Sequence, residues 1–151
     1  MPTVRETITI GPAQRTDEPA IRAWLRAAGL PDEDFADHLD NFLVARREGV
    51  PVGAVGFERH GRAALLRSLV VAPGQRAAGL GGELVRRLHA TARAAGVERF
   101  YLLTTTAEAF FAKRGFVRVA REEVPAAVAA TPEFQSLCPA TAVCLTGPVA
   151  P

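Results

Sequence analysis

The sequence predicts an α/β domain of the α+β kind: a mixed, mainly antiparallel central sheet of about seven strands with helices on both faces. Three observations carry that expectation. Residues 42–71 hold three apolar runs separated by tight turn signals, the pattern of an antiparallel meander. Residues 80–92 then place a leucine or alanine every four positions, the stripe of an amphipathic helix. An apolar run at 99–104 follows at once, so strand, helix and strand close one β-α-β crossover. A doubly wound fold would alternate strand and helix throughout, and this chain does not.

The elements follow in order. Glu6 to Ile10 alternates polar and apolar residues, predicting a short strand. Thr16 or Asp17 caps a helix that tolerates Pro19 in its first turn, buries Ile21, Trp24, Leu25 and Ala28, and stops at Gly29. Asp32–Asp40 carries Phe35 and Leu39 one turn apart, predicting a short amphipathic helix. Phe42–Arg46 and Val52–Phe57 flank the turn Glu48-Gly49-Val50-Pro51, and Ala63–Val71 follows His60-Gly61. After Pro73-Gly74 comes the long helix, with Leu80, Leu84, Leu88 and Ala92 on one side, Arg86, Arg87 and Arg93 off that stripe, and Gly96 as the stop. Arg99–Thr104 reads as a buried strand and Ala107–Arg114 as a short helix closed by Gly115. Phe116–Ala120 and Ala142–Thr146 complete the strands, with a helical turn at Pro125–Ala130 between them.

Composition narrows the function. At 151 residues, 48% hydrophobic and 23% charged, the chain fits one domain, 1–151, with its core at about 5–146. No apolar run approaches the ~18 residues of a membrane span. The N-terminus lacks a basic-then-apolar leader, so a cytoplasmic chain with no membrane partner is expected. The 18 basic residues scarcely outnumber the 16 acidic ones and are spread from Arg5 to Arg121, unlike the basic stripe of a nucleic-acid binder. The densest charge run is acidic: Asp32, Glu33, Asp34, Asp37 and Asp40. Cys138 and Cys144 supply too few ligands for a metal site, so no metal is expected. Cys144 reads as a small hydrophobe in an apolar strand, with a disulfide or a metalloid-gripping thiol pair as the alternatives.

The chemistry gathers between the third meander strand and the long helix. Gln75-Arg76-Ala77-Ala78-Gly79-Leu80-Gly81-Gly82 combines small residues with a helix start, whose first N–H groups have no partner within the helix. Such donors, the helix dipole and Arg76 suit a phosphate or pyrophosphate. No Gly-Lys-Ser/Thr follows, which excludes a Walker loop, and R-x-x-G-x-G is not a dinucleotide fingerprint.

An apolar strand Leu69-Val70-Val71-Ala72-Pro73, then R-x-x-G-x-G, then a long amphipathic helix, resembles motif A of the GNAT N-acetyltransferases. Tyr101-Leu102-Leu103-Thr104-Thr105-Thr106-Ala107 and Phe110-Phe111-Ala112-Lys113-Arg114-Gly115-Phe116 resemble the family's motif B. Leu65-Leu66-Arg67-Ser68-Leu69, the Thr104–Thr106 run with Phe110-Phe111, and Leu137-Cys138-Pro139-Ala140 are further similar to the subgroup associated with bacterial arsenic-resistance operons.

The resemblance implies a bulge in the fourth strand that splays it from the fifth and lets the pantetheine arm of acetyl-CoA lie between them. It places the arm against the backbone of Leu69, Val70 and Val71, whose side chains pack the core. It places the pyrophosphate on Arg76, Ala77, Ala78, Gly79, Leu80, Gly81 and Gly82, with Thr104 at the family's Asn position and Phe111 also against the cofactor. Phe111 stands where the family carries a Tyr that protonates the leaving thiolate, and it has no proton to donate. Arg67 occupies the region where several relatives hold a Glu base. Arg67 therefore reads either as a clamp for an anionic acceptor or as the partner of a carboxylate such as Glu58. Glu58 is the candidate general base, or else a solvated hairpin-end residue; His60 and His38 are weaker candidates. Ser68, Thr105 and Thr106 either line the cleft on the substrate side or are ordinary strand hydroxyls.

The expected activity is acetyl transfer from acetyl-CoA to the primary amine of a small anionic molecule by direct attack, with a link to arsenic or xenobiotic resistance, as a monomer or homodimer. A CoA-binding sensor with little turnover is the alternative that Phe111 raises. A thiol-based metalloid binder using Cys138 and Cys144 is the third.

Overall fold

The computed structural model describes residues 7–75, 79–137 and 141–150. Its strands are β1 (Ile8–Pro12), β2 (Phe42–Arg47), β3 (Val50–His60), β4 (Ala63–Val71), β5 (Arg99–Thr104), β6 (Val117–Arg118) and β7 (Val143–Pro148). They form one seven-stranded sheet in the order β1-β2-β3-β4-β5-β7-β6. Every neighbouring pair is antiparallel except β4 and β5, so the mixed, mainly antiparallel sheet of the sequence is the sheet of the structure. The α-helices are α1 (Glu18–Ala27), α2 (Leu80–Ala94), α3 (Glu108–Ala112) and α4 (Ala126–Ala129).

The meander turns follow from backbone geometry. Glu48 and Gly49 both take positive φ, 50° and 81°, which is the two-residue turn whose twist matches the flanking strands. This tight turn lets β3 begin at Val50, two residues earlier than the apolar run suggests. Three further elements differ from expectation. The Asp32–Asp40 helix is a 3₁₀ segment at Phe35–Asn41, and the Phe116–Ala120 strand shrinks to Val117–Arg118. Glu133–Leu137 forms a single π-turn that no apolar period announces. Glu6, at the start of the expected first strand, lies outside the described residues.

The two faces of the sheet are covered differently. On one, Leu43, Val55, Phe57, Leu66, Phe100 and Leu102 pack beneath the α2 stripe of Leu80, Leu84, Leu88 and Ala92, and Phe111 of α3 joins them. The other face carries two separate apolar clusters. Ile21 and Leu25 of α1 pack with Phe35, Phe42, Val44, Ala54 and Val70, while Val124, Val128 and Cys144 pack on Leu65. A polar seam divides the two. The start of α1 is fixed to β2 by a two-pronged contact: Arg46 Nη1 and Nη2 donate to Asp17 Oδ1 and Oδ2 at 2.8 and 2.7 Å.

Candidate functional site

The site begins with a break in the pleat. Between Gly56↔Arg67 and Ala54↔Val70, β4 spends one more residue than β3, and Ser68 takes up the excess in the left-handed region at φ 61°. This is a β-bulge. Its effect shows in which side each residue faces: Ala64 and Leu66 pack with α2, yet so do Leu69 and Val71, while Leu65 and Val70 lie on the opposite face. One inserted residue has moved the rest of the strand across the sheet.

Beyond the bulge β4 and β5 part. They pair in parallel at Ala63↔Arg99, Ala64↔Phe100 and Leu65↔Tyr101, and no described residue beyond those three continues the ladder. The gap opens into a cavity of about 360 Å³. Leu66 to Val71 form one wall, Leu102 to Thr104 the other, and Ala107 and Phe111 close the α3 side. Trp24, Ala27, Ala28 and Leu30 line the cavity from the α1 side, so it passes through the sheet. Among the described residues no strand pairs with Leu66 to Val70 on the β5 side, which leaves an edge for an extended chain to pair with.

Two hydroxyls lie on opposite walls. Thr104 Oγ1 accepts from the Ala107 N–H at 2.9 Å, holding the bend that ends β5. Ser68 Oγ accepts from Arg67 Nε at 3.0 Å. Thr105 is exposed and off the wall; the bend after Thr104 turns Thr106 onto it instead. Phe111 is buried, with its ring edge-on to Phe110 and Phe116 at 5.0 and 5.3 Å.

At the other end, Gly79 (φ 70°) precedes α2, and the first helical bond runs from the Glu83 N–H to the Gly79 carbonyl at 3.2 Å. The N–H groups ahead of Glu83 are therefore unused by the helix. Gly81 is spaced so that a Cβ would sit 3.5 Å from the Phe110 ring. Arg114 lies over Gly82, stacked on Phe110 at 3.7 Å and donating to its carbonyl at 2.7 Å. This adds a cation beside a helix start that already favours anions. Arg76, Ala77 and Ala78 lie outside the described residues.

The polar seam holds Arg67 and Glu58, and its geometry favours Arg67 as a carboxylate's partner over Arg67 as a clamp for an anionic acceptor, with Glu58, the candidate base, beneath it. The Arg67 side chain is fully buried, and each of its five N–H groups has a protein partner. Nη1 donates to Asp34 Oδ2 at 2.9 Å and Glu58 Oε1 at 2.6 Å; Nη2 reaches Asp34 Oδ1 at 2.7 Å and Glu133 Oε1 at 3.4 Å; Nε serves Ser68. No donor remains for a ligand. Glu58 is 1% exposed and lies under Arg67, away from the cavity wall, with His38 Nε2 at 3.2 Å and His60 Nε2 at 3.5 Å. The second reading of Arg67, as a carboxylate's partner, is what the geometry contains.

Burial works against ionisation in this seam, and pairing overcomes it. Asp34 is held below the ordinary carboxylate range because the Arg67 hydrogen bonds and charge outweigh its desolvation. Arg67 is likewise held protonated beyond its usual range by Asp34, Glu133 and Glu58 despite burial. Asp34, His38 and Glu58 bring three donor atoms within 4.8 Å of one another, but Arg67 already satisfies two of them, which works against a cation. Cys144 is buried in β7, and desolvation pushes its thiol up, so it behaves as an apolar residue. Cys138 lies outside the described residues. Among the described residues no helix is long and apolar enough to cross a membrane.

Sequence reasoning missed Asp34 and Glu133 as members of the seam, and Trp24 and Leu30 as cavity residues. The acidic run flagged the charge around Asp34 but not its partner, which lies 33 residues along the chain. Glu133 gave no signal.

A mixed seven-stranded sheet that splits at a β4 bulge is the acetyltransferase architecture, and solved structures agree. N-acetylglutamate synthase from Neisseria gonorrhoeae, complexed with coenzyme A and N-acetyl-glutamate, superposes with TM-score 0.83 at 21% identity, covering 96% of this chain and 36% of that one. Rv2747 from Mycobacterium tuberculosis, in complex with CoA and NLQ, gives 0.81 at 22% identity, covering 94% and 99%. At these identities the likeness shows the fold. The family model described as an acetyltransferase (GNAT) domain matches residues 38–118, and the chain belongs to that family. Its relatives include the amino-acid acetyltransferases of Ralstonia nicotianae, 33% identical over 66% of this chain, and of Pseudomonas fluorescens, 33% identical over 64%. The chain spans 22% and 23% of the length of those two relatives.

Proposed function

We propose that this chain is a cytoplasmic N-acetyltransferase that moves acetyl from acetyl-CoA to the primary amine of an amino acid or a close analogue. The observation that carries this reading is the bulge-opened gap between β4 and β5, which exposes a strand edge along a cavity that crosses the sheet. The residues fit the co-substrate. An extended pantetheine arm pairs with the unpartnered edge from Leu66 to Val70, and phosphates meet the N–H groups at the start of α2 with Arg114 beside them. The amine enters from the α1 side, past Trp24 and Leu30, and attacks the thioester directly. Cys144 is buried outside the cavity wall, which speaks against it as a covalent acetyl carrier.

The acceptor class draws on the amino-acid acetyltransferase relatives and on the CoA and N-acetyl-glutamate of the gonococcal complex. It extends to amino-acid analogues bearing a phosphonate or arsinate group, which set a comparable anion beside a primary amine. An anionic acceptor on this reading is held by groups other than Arg67, whose donors are spent. A second reading, a CoA-binding module with little turnover, is favoured by Phe111, a buried ring that offers the leaving thiolate no proton.

Calorimetry with acetyl-CoA, followed by thiol-release assays over amino acids, their phosphonate and arsinate analogues and neutral alkylamines, tests both. Binding with turnover on an amino acid or analogue supports the transferase. Binding with no turnover on any amine supports the sensor, and absence of binding defeats both.

A further inference from the structure

We infer that the Ser68 hydroxyl donates a hydrogen bond to the acyl carbonyl oxygen of the bound thioester and stabilises the oxyanion formed on attack. The inference rests on the acetyltransferase reading above and adds a residue with a defined task.

Three features of the same residue converge. Ser68 adopts φ 61°, a conformation that disfavours side chains and that glycine accepts freely. A non-glycine residue there, at the wall of the cavity, marks strain retained at a functional position. Its Oγ is fixed by an N–H from Arg67, a guanidinium itself locked by Asp34 and Glu58. With its lone pair engaged by a charged donor, the hydroxyl keeps its own proton, and among the described residues no protein group accepts it. Donation from the guanidinium polarises that O–H and strengthens it as a donor. The residue is 8% exposed, so the bond it offers is shielded from water.

The step balances simply. The amine nitrogen bonds to the thioester carbon while the C=O π pair moves onto oxygen, where the Ser68 O–H meets it. The tetrahedral centre then collapses, C=O re-forms, the C–S bond breaks, and the thiolate leaves. The attacking nitrogen loses one proton and the thiolate gains one, so the products are amide and free thiol. Ser68 keeps its proton throughout.

Ser68→Ala and Ser68→Gly together form the test. Both remove the hydroxyl, while glycine relieves the backbone strain and alanine keeps it. Each should lower kcat about 10²-fold, the effect of losing one such donor, with acetyl-CoA affinity within twofold of wild type. In isotope-edited infrared spectra, the ¹³C-labelled thioester carbonyl should absorb at lower frequency on wild-type protein than on either variant. Full activity in Ser68→Gly beside a defective Ser68→Ala would show that only the bulge conformation matters, and would overturn the inference. Identical carbonyl bands on all three proteins would overturn it too, whether or not an acceptor amine is known. Failure of wild-type protein to bind acetyl-CoA would overturn the transferase reading itself, a distinct result.

Discussion

Replacing Arg67 with methionine should cost more stability at pH 8 than at pH 5. The substitution keeps the volume of an unbranched side chain but removes the guanidinium that Asp34, Glu58 and Glu133 share, whose side chains are 14%, 2% and 5% exposed. Deleting one member of a buried ion cluster costs about 3–5 kcal/mol, because the charges left behind are neither solvated nor paired. With unfolding entropy of about 2.1 cal/mol/K per residue, a chain of 151 residues loses ~10–16 °C of Tm for that cost. In the wild type, Asp34 sits below the ordinary carboxylate range, so its contribution is complete above about pH 4 and disappears as pH falls through its folded value. In the variant, burial, the largest influence on that carboxyl, is opposed only by the His38 charge and a local backbone hydrogen bond, and it lifts the carboxyl above its unfolded value. The folded variant then binds more protons than its unfolded chain, and it regains stability on acidification from pH 8 to 5. Urea unfolding at both pH values, with a common m-value, gives the two differences. A loss below about 1 kcal/mol at pH 8, or one equal at both pH values, would refute a charge-balanced seam.

Three other changes probe the remaining parts. Gly79→Asp puts a carboxylate at the start of α2, where a phosphate is expected; calorimetry should show acetyl-CoA affinity reduced more than tenfold, while the side chain at φ 70° lowers the thermal transition by only a few degrees. Gly56→Ala places a Cβ 2.1 Å from the Phe42 ring and should cost about 1–3 kcal/mol by overpacking, whereas Gly11→Ala, with nothing within 4 Å, should be nearly neutral in the same melts. His89 is held below its ordinary value by burial, and its Nδ1 accepts the Ala150 N–H at 3.0 Å. Its neutral form is therefore the folded form. Stability should be flat above about pH 6.5 and fall as pH drops toward the depressed value, and His89→Phe should flatten that slope in Tm measured from pH 8 to 5.

The sheet was legible because its signals are local. The turn at Glu48-Gly49, the four-residue stripe of α2 and the apolar run of β5 are each contained within a short window. The bulge is different. Leu65-Leu66-Arg67-Ser68-Leu69-Val70-Val71 reads as one continuous strand, since a strand apolar on both faces has no alternation whose phase a slip could break. Only the family resemblance anticipated the opening. Arg67 shows the same limit from another side. Its partner Asp34 is 33 residues away and sits beside Phe35, so the acidic run reads as a solvated face until the 3₁₀ segment folds over β3 and β4. Thr105 and Thr106 differ by one position at a strand end, where the bend after Thr104 decides which one meets the cavity.

The short ladder between β4 and β5 has a mechanical consequence. Among the described residues, β1–β4 and β5–β7 with β6 are joined through three residue pairs, so the sheet behaves as two half-sheets sharing one apolar layer. Phe57 of one half meets Phe100 of the other at 6.3 Å, and α2 lies across the layer. Amides at this seam should exchange with solvent faster than those of β2 and β3, because local opening there sacrifices few bonds. A molecule lying along the open edge restores the missing ladder and couples the halves. Its binding free energy then adds to cooperativity, merging two loosely linked units into one that unfolds together.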